Sequence, residues 1–367
     1  MTFGRKTFIA AFGLYALVIA CVLWPTQAVP ATDEQADAEA NAGSVHTTLK
    51  ELPFCGATMQ LHDVNNLAGY EKACDEIAGQ GGDTVMFVPS ASMEDGSSNL
   101  IYIDARHTMS EANLRLLIAH AEADKLRVIL MPIVLLDAPK GNEWRGTIHP
   151  DDWDDWFESY QDMILYYARL AQSTGVNMLV VGSELVSSEP FVDDWRSTIR
   201  KVRTVYSGYL TYSSNWDHYM MIQFWNDLDL VGMNSYWDLC YNDRPDVPVS
   251  EIERRWHDIQ KDLFAWQQNV HRPIILLEAG WCSLDNAASA SWDYTQTQLP
   301  VNLELQRRLY EAFFSSWWGK SQCGGFMMWE WSPEWPGGPD DKGYTPRGKP
   351  AAAVMKDWFA KPRWDVR

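Results

Sequence analysis

Residues 177–184 read Asn177-Met178-Leu179-Val180-Val181-Gly182-Ser183-Glu184, an unbroken apolar run closed by a glycine, a serine and a carboxylate. Polar and apolar residues do not alternate in it. Such a strand is apolar on both faces, as a parallel strand covered by helices requires. Pro273-Ile274-Ile275-Leu276-Leu277-Glu278 has the same character and the same ending. Working outward, further strand-like runs begin near Cys55, Thr84, Arg127 (a single run over 127–136), Tyr209, Leu228 and Gly325. Amphipathic stretches fall between them. One covers 110–124 with Ser110 as its cap. Another covers 151–174 and sets Trp153, Trp156, Tyr160, Ile164 and Tyr167 at helical spacing; others cover 192–205, 251–268, 301–318 and 350–359. The helix between Tyr209 and Leu228 is short and weak. Eight strand signals alternating with helix signals predict one α/β domain, a single (β/α)8 TIM barrel over residues 52–367. A doubly wound sheet is the alternative, but no Gly-rich phosphate loop follows the first strand.

The length of 367 residues fits such a barrel, about 250 residues, plus extensions. Arg5 and Lys6 precede an apolar run over 8–24, and small residues surround Ala28. Residues 1–28 therefore read as a signal peptide, as an uncut anchor, or, through Val18-Ile19-Ala20-Cys21, as a lipoprotein leader with Cys21 lipidated. Residues 29–51 are rich in Ala, Asp and Glu without apolar periodicity, and read as a disordered linker. All three readings place the barrel outside the cytoplasm, periplasmic or extracellular, and two attach it to a membrane.

Acidic residues outnumber basic ones 49 to 30, a net charge of −19 that repels phosphate backbones and excludes nucleic acid as a partner class. The chain carries 19 Trp, more than a core needs, which points to a surface where flat, partly polar ligands stack. Five Cys lie beyond residue 28, an odd number that leaves at least one thiol free in an oxidising compartment. Cys240 with Cys282, and Cys55 with Cys323, fall on neighbouring barrel positions; buried thiols are the simpler expectation. No Cys or His spacing suggests zinc, so neither a metal nor a cofactor is expected.

In a barrel of this kind the chemistry sits at the C-terminal ends of the strands. Glu184 and Glu278 end the predicted fourth and seventh strands. A carboxylate there is costly unless it is paired, hydrogen-bonded or protonated, so a structural salt bridge is the plain reading of either alone. Two on one rim, among so many Trp, match the equipment of glycoside hydrolysis: one acid to protonate the leaving oxygen and one carboxylate to attack the anomeric carbon or activate water. Glu330, between Trp329 and Trp331, is a weaker candidate. Glu189 reads as a helix start, and Asp151, Asp152, Asp154 and Asp155 as helix N-terminal acids. Asp340-Asp341 reads as a solvated loop. No Gly-x-Ser-x-Gly elbow supports a serine nucleophile.

Several segments carry a resemblance. They include Glu143-Trp144-Arg145-Gly146, Val181-Gly182-Ser183-Glu184-Leu185, Leu210-Thr211-Tyr212-Ser213-Ser214-Asn215-Trp216, Glu278-Ala279-Gly280-Trp281, Trp329-Glu330-Trp331-Ser332-Pro333 and Gly343-Tyr344-Thr345-Pro346-Arg347-Gly348-Lys349-Pro350. With them the chain resembles glycoside hydrolase family 113 over nearly all of residues 52–359. The resemblance implies a retaining hydrolase of β-1,4-mannan with Glu184 as general acid/base and Glu278 as nucleophile. Tyr236 corresponds to the tyrosine that hydrogen-bonds the nucleophile. Trp144, Arg145, Asn215, Trp216, Trp281 and Trp329 become candidate contacts to a polysaccharide or oligosaccharide substrate. The chain departs from the family where sugar subsites form: Met131-Pro132-Ile133 replaces Lys-Pro-His, Ser183 precedes the acid/base in place of Thr or Asn, Ala279 and Trp281 replace Ile and Tyr after the nucleophile, and Met328-Trp329-Glu330-Trp331 replaces Trp-Trp-Asn-Trp. The same chemistry on glucan, xylan or an exopolysaccharide is therefore a second reading. A non-catalytic carbohydrate-binding barrel is a third, against which the retention of both Glu argues.

Overall fold

Pro89 and Pro132 interrupt two predicted strands in the same way. Proline has no N–H to give a ladder. In the computed structural model the second barrel strand β2 (Thr84–Val88) stops before Pro89 and resumes as β3 (Ser90–Met93). The single run expected over 127–136 is likewise two strands, β4 (Arg127–Leu130) and β5 (Ile133–Leu136), separated by Met131 and Pro132. β3 and β5 pair with each other as a separate two-stranded parallel sheet. The structure describes residues 51–367, so the leader, anchor and linker readings of the N-terminal segment fall outside the described residues.

The other strands are β1 (Phe54–Gln60), β6 (Met178–Ser183), β7 (Tyr209–Ser214), β8 (Val231–Asn234), β9 (Ile274–Ala279) and β10 (Cys323–Met328). Eight of them close into a barrel in the order β1-β10-β9-β8-β7-β6-β4-β2, every pair parallel. This is the predicted (β/α)8 barrel. Its helices are α1 (Leu67–Gly79), α2 (Glu111–Ala123), α3 (Trp153–Thr174), α4 (Val192–Arg203), α5 (Val249–Val270), α6 (Leu303–Trp317) and α7 (Pro350–Phe359). The weak helix expected between Tyr209 and Leu228 is only a 3-10 turn, Trp225–Asp227, pinned by the Trp225 indole N–H on the Tyr219 carbonyl at 2.8 Å. Among the described residues no helix is long and apolar enough to cross a membrane.

Two cores follow from the strand period. Inward-facing side chains, among them Phe54, Met86, Ile129, Met178, Val180, Tyr209, Ile275, Leu277 and Met327, fill the barrel. Outward-facing ones, such as Val85, Val128, Leu179, Val181 and Leu276, pack against the helices. Helix α3 shows why these sequences stay helical. Asp154, Asp155, Glu158 and Asp162 face out, while Trp156, Tyr160, Ile164, Tyr167 and Ala171 bury one stripe. Asp152 caps its start, accepting from the Asp154 and Asp155 amides, and Gly175 at φ 73° ends it in the left-handed region that a side chain disfavours. Ser110 caps α2 as expected.

Much of the Trp content is structural. Trp156, Trp195, Trp256, Trp281 and Trp317 are fully buried and interlock edge-on with neighbouring rings. The five described cysteines, Cys55, Cys74, Cys240, Cys282 and Cys323, are all buried free thiols, so neither candidate pair forms a disulfide.

Candidate active site

The two glutamates reach the barrel mouth because their strands each contain one extra residue. Between β6 and β7, Val180 pairs with Thr211 but Ser183 with Ser213, three steps against two. Between β8 and β9, Met233 pairs with Leu276 but Asn234 with Glu278, one step against two. Such bulges bend a strand and re-aim the side chains beyond them, and they recur next to active sites. Asn234 shares the inward face of β8 with Leu230, so Glu278 opposite it is turned inward as well. Gly280 follows because a Cβ there would come within 2.2 Å of the Trp329 carbonyl oxygen.

Glu184 sits just beyond β6 with φ 55°, a left-handed conformation that costs a β-carbon residue on the order of 1–3 kcal/mol. Its surroundings hold it there. Its amide donates to the Ser213 carbonyl at 2.8 Å, and the next amide, Leu185, donates to the Tyr212 hydroxyl at 3.0 Å. Tyr212 in turn donates to Glu189 at 3.0 Å. Trp195 supports the turn from below, its indole N–H on the Ser188 carbonyl at 3.1 Å. Glu189 is thus a buried carboxyl behind the site and not merely a helix start. Burial raises it to about 7, although Tyr212 and His218 pull it down.

The Glu184 carboxylate accepts on both oxygens: Arg145 donates to Oε2 at 2.5 Å and Asn234 to Oε1 at 2.5 Å. Asn234 also accepts from the Trp216 amide at 2.8 Å, tying the loop after β7 to the site. Glu278 is buried, and the Tyr236 hydroxyl donates to its Oε2 at 2.9 Å. Its backbone carbonyl accepts from the Ser235 amide and hydroxyl, each at 2.8 Å. Burial and the nearby Glu184 carboxylate push Glu278 well above the usual carboxylate range; Arg145 and the Tyr236 hydrogen bond pull the other way, and Glu330 adds to the rise. Burial and Glu278 keep the Tyr236 phenol protonated, hence a donor.

Arg145, Asn234 and Tyr236 therefore meet the two glutamates at one rim, and Asn215 follows β7 with its Oδ1 buried. Trp144 stands beside Arg145, 39% exposed, and presents a usable face. Trp216 packs on Trp237, and Trp329 lies partly buried over the interior core. Trp281 does not fit the expectation of a sugar contact: it is fully buried behind the strands against Trp256, Tyr310 and Phe313, with no face left for a ligand. Its place in the sequence, three residues after Glu278, suggested the rim, but the chain turns outward at Gly280. Asn234 was missed. It lies two residues before Tyr236, within the very segment that was read for the tyrosine.

Several buried polar atoms in and around these strands have no partner among the described residues: Thr58 Oγ1, Ser183 Oγ, Ser213 Oγ, Asn215 Oδ1, Arg145 Nε and Glu278 Oε1. Buried polar groups are normally hydrogen-bonded, and leaving one unmet costs about 1–3 kcal/mol. A ligand rich in hydroxyls suits such a set. Among the described residues one group offers metal-ligand atoms close together, Asp75, His120 and Asp124, on α1 and at the end of α2 rather than at a strand end. A hollow lined by Ala171, Asn177, Tyr206 and Tyr209 lies at the opposite ends of the strands and holds no candidate residue.

Residues 67–349 match the model of Glycoside Hydrolase Family 113. Among solved structures, the family 113 beta-mannanase from Alicyclobacillus acidocaldarius, in complex with ManMIm, is similar at 28% identity and TM-score 0.75, over 85% of this chain and 99% of that one. A second family 113 beta-1,4-mannanase, solved as a complex, has 24% identity and TM-score 0.75 over 85% of this chain and 100% of that one. The endo-beta-1,4-mannanase from Thermotoga petrophila shares the fold alone, at 10% identity and TM-score 0.57 over 85% and 78%. No curated protein matches the chain. The chain belongs to glycoside hydrolase family 113 and is a glycoside hydrolase.

Proposed function

We propose that this family 113 member hydrolyses β-1,4-linked mannan by double displacement, with Glu278 as nucleophile and Glu184 as general acid/base. The observation that carries the reading is the pairing of Glu278 with the Tyr236 hydroxyl on a rim that also holds Glu184. A retaining mechanism needs one carboxylate kept ionised and aimed, and a second group that gives and then takes a proton. Burial works against an ionised Glu278; Arg145 and Tyr236 work for it. In the mechanism Glu278 attacks the anomeric carbon while Glu184 protonates the departing oxygen. Ester formation removes the charge on Glu278, and Glu184 then takes a proton from the water that releases the sugar.

Both oxygens of Glu184 accept hydrogen bonds in the free chain, so one donor moves aside to open an oxygen toward the departing group. Arg145 is the donor free to move: it opens the short 3-10 turn Arg145–Thr147, whereas Asn234 is fixed in β8. A sugar hydroxyl arriving at the rim would take Arg145 over. Trp144, Trp216 and Trp329 supply apolar faces for the rings. The export reading of residues 1–28 belongs to the same proposal, because a polysaccharide does not enter the cytoplasm intact.

The test is hydrolysis of mannan, glucan and xylan by the full chain and by Glu184→Gln and Glu278→Gln, with the anomer of the first product followed by NMR. Release of β-configured mannan fragments by wild type alone supports the reading. Activity on another glycan, lost in both variants, moves the substrate and keeps the mechanism. Turnover retained in both variants overturns the residue assignment.

A further inference from the structure

Glu330 is a third carboxyl at the rim, and the mechanism above does not use it. It stands where the family usually carries Asn. It is 7% exposed. Gln60 Nε2 and Ser332 Oγ both donate to its Oε2, each at 3.0 Å, while no group among the described residues donates to Oε1. Ser332 also receives the Gln60 amide at 3.1 Å, and His62 meets the Gln60 side chain at 2.9 Å, so the carboxylate is held by a built frame from β1 and the loop after β10. Thr58 shares with Gln60 the inward face of β1, two residues apart, and its fully buried hydroxyl has no partner. The polar atoms of this corner are thus only half satisfied.

The corner is mainly acidic, although Arg347 reaches it with a hydrogen bond from Nη1 to the Ser332 carbonyl at 3.0 Å and Arg145 acts on Glu278. Glu334 lies in the same loop, with Oε1 taken by Tyr70 and the Asp63 amide and Oε2 buried without a donor. Glu278 feels Glu330 as a repelling charge. Among the described residues no Lys or Arg forms an ion pair with Glu330, Glu334 or Glu278; the nearby Arg347 is engaged by Glu76. An amide at position 330 would bind a sugar hydroxyl without burying a charge. Burial, and to a lesser extent Glu334, favour the protonated form of Glu330, while the Gln60 and Ser332 donors favour the carboxylate; a carboxylate kept ionised here is best offset by a cation.

We infer that Glu330 forms a subsite for a sugar unit bearing a protonated amine, a hexosamine in a β-linked chain, whose ammonium donates to the free Oε1. This rests on the proposed reading in taking the ligand to be a β-1,4-linked glycan. It concerns binding, so its failure is separable from loss of turnover. Uronate units are repelled by the same charges.

The experiment is calorimetric titration of the full chain with β-1,4-linked tetramers of glucosamine and of mannose near pH 6, where a sugar amine is protonated. Wild type is expected to bind the glucosamine tetramer about tenfold more tightly than the mannose tetramer, and Glu330→Gln is expected to erase that ratio. Glu330→Asn, the family's usual residue, serves as a second variant, with thermal unfolding confirming that each is folded. Equal or weaker binding of the aminated tetramer by wild type overturns the inference, whatever the variants do. So does a preference that survives both substitutions. Mannan hydrolysis measured beside the titrations shows separately whether the catalytic reading stands.

Discussion

Tyr236 donates to Glu278 Oε2 at 2.9 Å, while Glu278 Oε1 is buried and receives no hydrogen bond from the described residues. The two oxygens are therefore unequal: one is anchored, and in the proposed mechanism the other is the one that attacks the anomeric carbon. The same hydrogen bond lowers the proton affinity that burial raises. Tyr236→Phe is thus expected to reduce kcat/KM by about 10- to 100-fold, the worth of one hydrogen bond to a charged group. It is also expected to move the acidic limb of the pH profile upward. A reduced rate with an unmoved limb would make Tyr236 a packing residue.

Arg145 acts on both carboxylates, by contact with Glu184 and through space on Glu278. Arg145→Ala removes a charge that favours ionised Glu278. The acidic limb of kcat/KM should rise toward neutrality and KM should increase, because a sugar-hydroxyl donor is lost. Arg145→Lys should restore the limb in part and KM less, since a lysine lacks the planar fork. Profiles of the two variants that coincide with wild type would remove Arg145 from the site.

Glu189 links pH to stability. Its carboxyl lies at about 7 in the folded chain against an ordinary value of 4.5, chiefly from burial. The folded state therefore binds the proton more tightly than the unfolded one. The associated stability is fully present below about pH 4.5 and is lost as pH climbs through about 7, up to roughly 3 kcal/mol. Glu189→Gln keeps an acceptor for Tyr212 and has no charge to bury. It should match wild type near pH 5 and be the more stable near pH 8 in denaturant unfolding. Equal stabilities at both values would refute the burial argument.

Trp281 and Trp144 should respond in opposite ways. Trp281 has no exposed surface, so Trp281→Ala should cost about 3–5 kcal/mol of stability. Trp144, 39% exposed, should tolerate Ala with an unchanged Tm while KM for mannan oligosaccharides rises several-fold. A raised KM with a normal Tm for Trp281→Ala would return it to the list of sugar contacts.

The barrel was legible because its strands are local, periodic signals. An apolar run such as 178–181 states burial on both faces wherever it occurs, and the stripe of α3 states one buried side. Glu184 and Glu278 were legible for a related reason: each ends such a run, and strand ends are where this architecture places its chemistry. Breaks were harder to see. Pro132 was visible, but the separate pairing of β5 with β3 depends on Pro89, far away in the chain.

By itself, then, the sequence determined the fold class and set two carboxylates at strand ends, since these follow from period and strand order, while Tyr236 was picked out by the family resemblance. Only the tertiary structure decided which neighbours each carboxylate has. The extra residues in β6 and β9 turn Glu184 and Glu278 inward, Gly280 carries Trp281 out to the core, and Asn234, Glu189 and Glu330 acquire their roles from residues up to 270 positions away. A strand pattern carries one face per residue; a bulge, a turn and a cross-barrel hydrogen bond depend on the register between strands, and register exists only once the barrel has closed.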